Sequence, residues 1–178
     1  RIDTDVTIRV EASFDPLSCN ASGAVLGAAG PETAYTNING APRTNTWYPP
    51  SLANAITDSD INGGQVEIIA FFNSNLGKPN CLTGVFFYYG LDGNEGVNID
   101  FVTVLANELG HGRGCLAFSN PSTGQQPSGF TDAFSVHLED HDSGDLFPDM
   151  TDFERASAAV DTGDLHCVGP TAVDAGDF

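Results

Sequence analysis

The segment Asn107-Glu108-Leu109-Gly110-His111 holds the residues best placed to do chemistry. Positions 107 and 111 are four apart, so on a helix they lie one turn apart on one face. Glu108 sits beside them. Two donors one turn apart can hold one metal ion, and a neighbouring carboxylate can take the proton of a metal-bound water. The donors are unequal. His111 offers an imidazole nitrogen, which suits zinc, whereas Asn107 offers a neutral amide oxygen, which suits it poorly. From spacing alone, ordinary surface and capping groups on a helix are the more common reading.

A metal site would need a further ligand. His137 and His141 are four apart with Asp140 between them, and either could supply it. A solvated acidic helix end is the alternative for both, and His166 is a third candidate. Asp58-Ser59-Asp60-Ile61-Asn62-Gly63 opens like a calcium loop, but Ile69 stands where that loop needs a bidentate Glu. A solvated turn fits it better, with calcium as the lesser alternative.

The elements that must position these residues follow from pattern. Asp100 is a good N-cap, and Phe101, Val102, Val104, Leu105 and Leu109 follow it. A helix therefore carries positions 107–111, and Gly110, Gly112 and Gly114 end it. Residues 5–12 alternate as a half-buried strand. Residues 14–47 read as loops with one or two short strands. Pro49-Pro50 precedes a short helix over 51–56. Val66–Phe72 and Val85–Tyr89 read as strands, and residues 90–98 as a turn region. Thr131 or Asp132 is expected to cap a second helix through about Asp140, and an acidic loop over 141–148 comes after it. Thr151 with Glu154 forms a capping box that opens a helix through about Val160. The tail to Phe178 reads as mostly irregular. No repeat or linker interrupts the chain, so one domain over 1–178 is expected.

Composition narrows the classes. Of 178 residues, 40% are hydrophobic, which is too apolar for a disordered chain. The net charge of −18 argues against nucleic-acid binding through phosphate neutralisation. It fits a solubilising surface, with calcium binding or attraction of cationic partners as alternatives. No apolar run reaches the roughly 20 residues of a membrane span. Arg1 reads as a processed or trimmed start. Cys19, Cys81, Cys115 and Cys167 are an even set without a CxxC pair, as suits an exported protein with disulfides. They allow three pairings. Cys19–Cys81 with Cys115–Cys167 is favoured over the others, and free thiols are the alternative. Asn20-Ala21-Ser22 is a glycosylation sequon.

The segment Leu105-Ala-Asn-Glu-Leu-Gly-His-Gly-Arg-Gly-Cys115 resembles the HELGHGLGF-type motif of bacterial secreted zincin-like metallopeptidases, many of which carry a protease-associated domain. Phe14–Cys19, Asn45–Tyr48, Phe71–Asn75, Tyr88–Gly93, Asn120–Gly124, Asp132–Phe134 and Asp149–Arg155 resemble the same family in the same order. The resemblance implies an α/β (α+β) fold: a zincin-like domain with a twisted mixed sheet, an active-site helix and further C-terminal helices. It implies a secreted zinc endopeptidase acting on peptide or protein substrates, with Glu108 as general base and His111 as second ligand. Asn107 replaces the first ligand, and the same fold could persist as a catalytically inactive binding or assembly module with a protein partner. Arg113, Cys115 and Cys167 stand where the family has Leu, Phe and an aromatic, and the paired change suits the Cys115–Cys167 bridge. Ala117 occupies the metzincin third-ligand position, and Met150 reads as core packing. The strand carrying Val66, Ile68 and Ala70 is expected to be the edge along which a peptide substrate lies.

Overall fold

Strand β5 (Ile68–Asn73) lies at the centre of the main sheet in the computed structural model, which describes residues 4–168. Its sequence, Ile-Ile-Ala-Phe-Phe-Asn, is apolar on both faces, as suits a strand paired along both edges. Strand β1 (Val10–Asp15) pairs with it in parallel, from Val10 opposite Ile68 to Asp15 opposite Asn73. Strand β2 (Gly27–Pro31) pairs antiparallel on the other side. The expected strand over 5–12 is thus displaced towards Asp15. Its start is set where the Arg9 carbonyl accepts from Glu67 and Ile68 N–H groups.

Helix α2 (Phe101–Gly112) lies chiefly over β2 and β5. The Asp100 side chain accepts from the N–H groups of Val102 and Thr103, as its N-cap position requires. Ala70, Phe72 and Val104 form the core beneath the helix. Gly112 allows the close approach: a Cβ there would sit 2.3 Å from Ile68 Cγ2. Helix α1 (Pro50–Thr57) packs alongside, and its fully buried Ser51 hydroxyl donates to the Gly112 carbonyl at 3.3 Å.

Glu67, with no exposed surface, ties this half together. It accepts from the Arg9 N–H and from the Asn54 amide at 3.1 Å, and Asn54 donates in turn to Asn62 Oδ1. Asn62 is therefore a buried structural amide. Asp60 accepts from Gly64 N–H and pairs with Arg9 at 3.0 Å. Residues 58–64 thus form a turn braced by its own backbone and by Arg9.

The smaller pairings are short. Strands β3 (Tyr35–Thr36), β4 (Thr46–Tyr48) and β8 (Thr131–Asp132) form one sheet in that order. The expected strand over 85–89 contracts to β6 (Phe87–Tyr88), parallel to β7 (Ile99–Asp100). The expected second helix over 131–140 does not form. The Asp132 carboxylate accepts from Phe134 and Ser135 N–H groups and makes a local turn. A 3-10 turn over Ser135–His137 comes next, then strand β9 (Leu138–Asp140). Strand β10 (Leu165–Cys167) captures β9 in an antiparallel pair. Helix α3 (Asp152–Ala158) carries the Thr151–Glu154 capping box and is the one α-helix beyond α2 among the described residues. Leu138, Phe147, Met150 and Ala158 form the core of this half, so Met150 is a packing residue. The whole is a mixed α+β fold of small sheets and three α-helices among the described residues.

Cys19 and Cys81 form a disulfide. Cys115 and Cys167 remain free and exposed, which corrects the second expected bridge. Cys115 is held by the turn ending α2, where its N–H donates to the Gly110 carbonyl. Cys167 is held in β10 opposite Leu138. The two thiols are fixed on separate elements.

Two outcomes are expected for stability. The disulfide closes a loop of 62 residues. In the chain-entropy account, reduction should lower the unfolding free energy by about 4 kcal/mol, read from urea unfolding with and without reductant. The second concerns acid. The Thr103 hydroxyl, with the N–H groups of Thr103 and Val102, holds the Asp100 carboxyl below its ordinary value. The Thr151 N–H and hydroxyl do the same for Glu154. A lowered carboxyl contributes stability above the ordinary range and loses it as pH falls through the lowered folded value. The melting temperature should therefore fall on acidification below the ordinary carboxylate range. Asp100→Asn should flatten that fall in a pH series of thermal scans.

Candidate active site on helix α2

Helix α2 carries Asn107, Glu108 and His111 in different environments. Asn107 is exposed, and His111 one turn later is half-buried. Glu108 points inward and is 6% exposed. It packs against β2 at Gly27, where a Cβ would lie 2.8 Å from Glu108 Cγ and Oε1. Only a residue without a side chain leaves this carboxylate its place. No hydrogen bond joins the Glu108 carboxylate to any described residue, and its oxygens are not among the described fully buried atoms that lack a partner. A carboxylate seated this way can be completed by a water or a ligand.

His111 is oriented from behind. Its Nδ1 lies 2.9 Å from the Cys115 carbonyl oxygen. A carbonyl only accepts, so Nδ1 is the donor, and in the neutral ring Nε2 is the nitrogen with the lone pair. This backbone contact is the kind that orients ligating histidines. It depends on the Gly110–Cys115 turn, in which Arg113 N–H bonds to Leu109 and Gly110 carbonyls and Gly114 takes a φ of +107°. Glu108 is thus an inward carboxylate one helical turn from an oriented nitrogen, and both are groups of the kind that transfer protons.

The other expected site residues lie elsewhere. His137 is exposed at the end of its 3-10 turn, and β9 separates it from His141. The two therefore do not share a helix face. His141 packs edge-on against His166, with ring centroids 5.7 Å apart. His166 Nε2 lies 3.3 Å from Glu139 Oε1 on the paired strand. Among the described residues, His111 belongs to no group of three His, Cys, Asp or Glu side chains with converging ligand atoms. The one such group is Asp142, Asp161 and Asp164, with ligand atoms within 4.8 Å of one another. It borders a cavity also lined by Met150, Phe153 and Ser157. Asp164 is raised above its ordinary value by its hydrogen bond to Asp140, by burial and by neighbouring carboxylates, whereas the same bond lowers Asp140.

The expected substrate strand is also corrected. Ile68 and Ala70 are each 1% exposed, and β5 is paired on both edges, so it has no free edge for a peptide. Val66 precedes the strand. The strand bordering Glu108 is β2, the antiparallel edge of the sheet. Sequence reasoning missed Gly27, although a glycine inside a strand is a recognised sign of close approach. It could not find the Cys115 carbonyl, because any residue type supplies one.

Fold and site together define a mixed α+β protein with a helix-borne carboxylate and imidazole beside an edge strand. Comparisons with protein-family models, curated proteins and solved structures found no match. Gly27→Ala should force Glu108 out of place and cost about 1–3 kcal/mol, as overpacking does. Thermal unfolding of this variant beside Ala28→Ser, on an exposed residue of the same strand, would measure it.

Proposed function

We propose that this chain is a secreted protein of the zincin metallopeptidase type. Helix α2 is its motif helix, Glu108 its proton-transferring carboxylate, and His111 its retained imidazole ligand. One observation supports the reading: Glu108 lies on the inner face of α2 against an edge strand, one residue from Asn107 and three from His111, without a described hydrogen-bond partner. Glu67, which is fully enclosed, has protein donors instead. The Cys19–Cys81 disulfide suits an oxidising compartment, and no helix among the described residues is long and apolar enough to cross a membrane.

The donor set does not fit a complete zinc site. Catalytic zinc takes three protein ligands and a water. Asn107 is a poor donor, and among the described residues no third ligand gathers with His111 in a group of strong donors. This shortfall favours a second reading, in which the fold serves as a non-catalytic extracellular binding or assembly module with a protein partner. Calcium, as an alternative cation, has its nearest match in the Asp142, Asp161 and Asp164 carboxylates.

Metal content and cleavage of a denatured protein distinguish the two readings. On the peptidase reading, Asn107→His raises zinc affinity at least about tenfold and brings chelator-sensitive cleavage, since ligand-shell changes act on that scale. Glu108→Gln in that background abolishes cleavage while zinc stays bound. Absence of zinc and of cleavage in Asn107→His would leave the binding module as the function.

A further inference from the structure

Strand β1 is paired on one side only among the described residues, and five of its six residues are exposed. Its backbone polarity follows from the bonds flanking it. The carbonyls of Arg9 and Asp15 both accept from the β5 side, from Glu67 and Ile68 and from Ser74. Backbone groups alternate along a strand, so the odd-numbered residues face β5. The N–H and C=O groups of Val10, Ala12 and Phe14 therefore face outward. Their side chains fall on the same sheet face as Ile68, Ala70 and Phe72, which is the face α2 covers. That cover stops short of β1: Val10 is 42% exposed and Phe14 50%. Phe14 continues into an aromatic shelf with Phe101 and Phe87, at centroid distances of 5.8 and 6.2 Å.

We propose that β1 is a dimerisation strand, on which a second copy of this chain pairs antiparallel about a two-fold axis at Ala12. This inference is independent of the peptidase reading. Outward-facing residues must oppose outward-facing residues for an antiparallel edge to bond. One register satisfies all three: Val10 opposite Phe14 of the second copy, Ala12 opposite Ala12, and Phe14 opposite Val10. The same register sets Arg9 opposite Asp15 of the second copy, twice by symmetry. Charge complementarity thus selects the register that the backbone selects. It matters here because each copy has only 6 basic residues and a net charge of −18, so contact between copies needs a local cation. Arg9 keeps 41% of its side chain exposed while pairing with Asp60. The small Ala12 side chain lets the strands meet at the axis, and each Val10–Phe14 pair covers apolar surface now in water. The product is a continuous six-stranded sheet made from two sheets of three, with α2 of both copies on one face.

Sedimentation velocity of the full chain, from about 1 to about 200 µM, tests the proposal, with a dissociation constant in the micromolar range expected for a small interface. Ala12→Pro removes an outward N–H and no bond to β5, so it should fold and stay monomeric throughout. Asp15→Lys, which gives up only the contact with the Ser13 hydroxyl, should weaken dimerisation at least about tenfold by setting an ammonium group against the Arg9 guanidinium. Should Ala12→Pro fail to give the native circular dichroism, Asp15→Lys decides alone. A wild-type chain that stays monomeric overturns the proposal, as does a dimer unchanged in a folded Ala12→Pro or in Asp15→Lys. A peptide or another part of the chain covering this edge would give the first of these results.

Discussion

Everything at the candidate site depends on how closely α2 can approach the sheet, and two missing side chains set that distance. Gly112 admits Ile68 beneath the end of the helix, and Gly27 admits Glu108 against β2. The helix is thus seated on its own glycine at one end and on the sheet's glycine along its length. Asp100 fixes where the helix begins and Ser51 holds its last carbonyl. Burial of the Glu108 side chain follows from this close seating. The orientation of His111 follows from the turn that ends the same helix.

Local signals were legible in the sequence, and pairings across long separations were not. Asp100, the Pro49-Pro50 pair and the Thr151–Glu154 box each act within one turn, and the three helices begin where these residues place them. Asp132 has the character of another cap and does accept from the next N–H groups along the chain. The chain beyond it nevertheless forms a turn and a strand, because residues 165–167 offer β9 an antiparallel partner. The pattern of β5 showed that it is apolar on both faces. It could not show that 10–15 and 27–31 take its two edges, which is why a central strand was expected at an edge. At the site, Glu108 and His111 were legible by type and spacing. Gly27 and the Cys115 carbonyl were not, since they act through an absent side chain and a backbone atom.

Arg155 and Arg9 contribute as anchors. Arg155 is 6% exposed and donates to the carbonyls of Gly124, Phe147 and Met150, gathering three chain segments around one guanidinium. Arg9 joins the turn over 58–64 to the start of the sheet. With 24 acidic residues against 6 basic, the chain as a whole is strongly negative. Such a charge favours hydration and discourages contact with other acidic molecules.

The disulfide between Cys19 and Cys81 has a consequence for how the chain would respond to proteolysis. Strand β2, helix α1 and most of the hydrogen-bonded core around Glu67 lie within the loop it closes. A single cut in the exposed 58–65 turn would therefore separate no fragment, because both new ends stay joined through the sulfur bridge. Such a nicked molecule would keep its full mass until reduced. Its two pieces would remain at the high effective concentration that lets a sheet close again after breathing open.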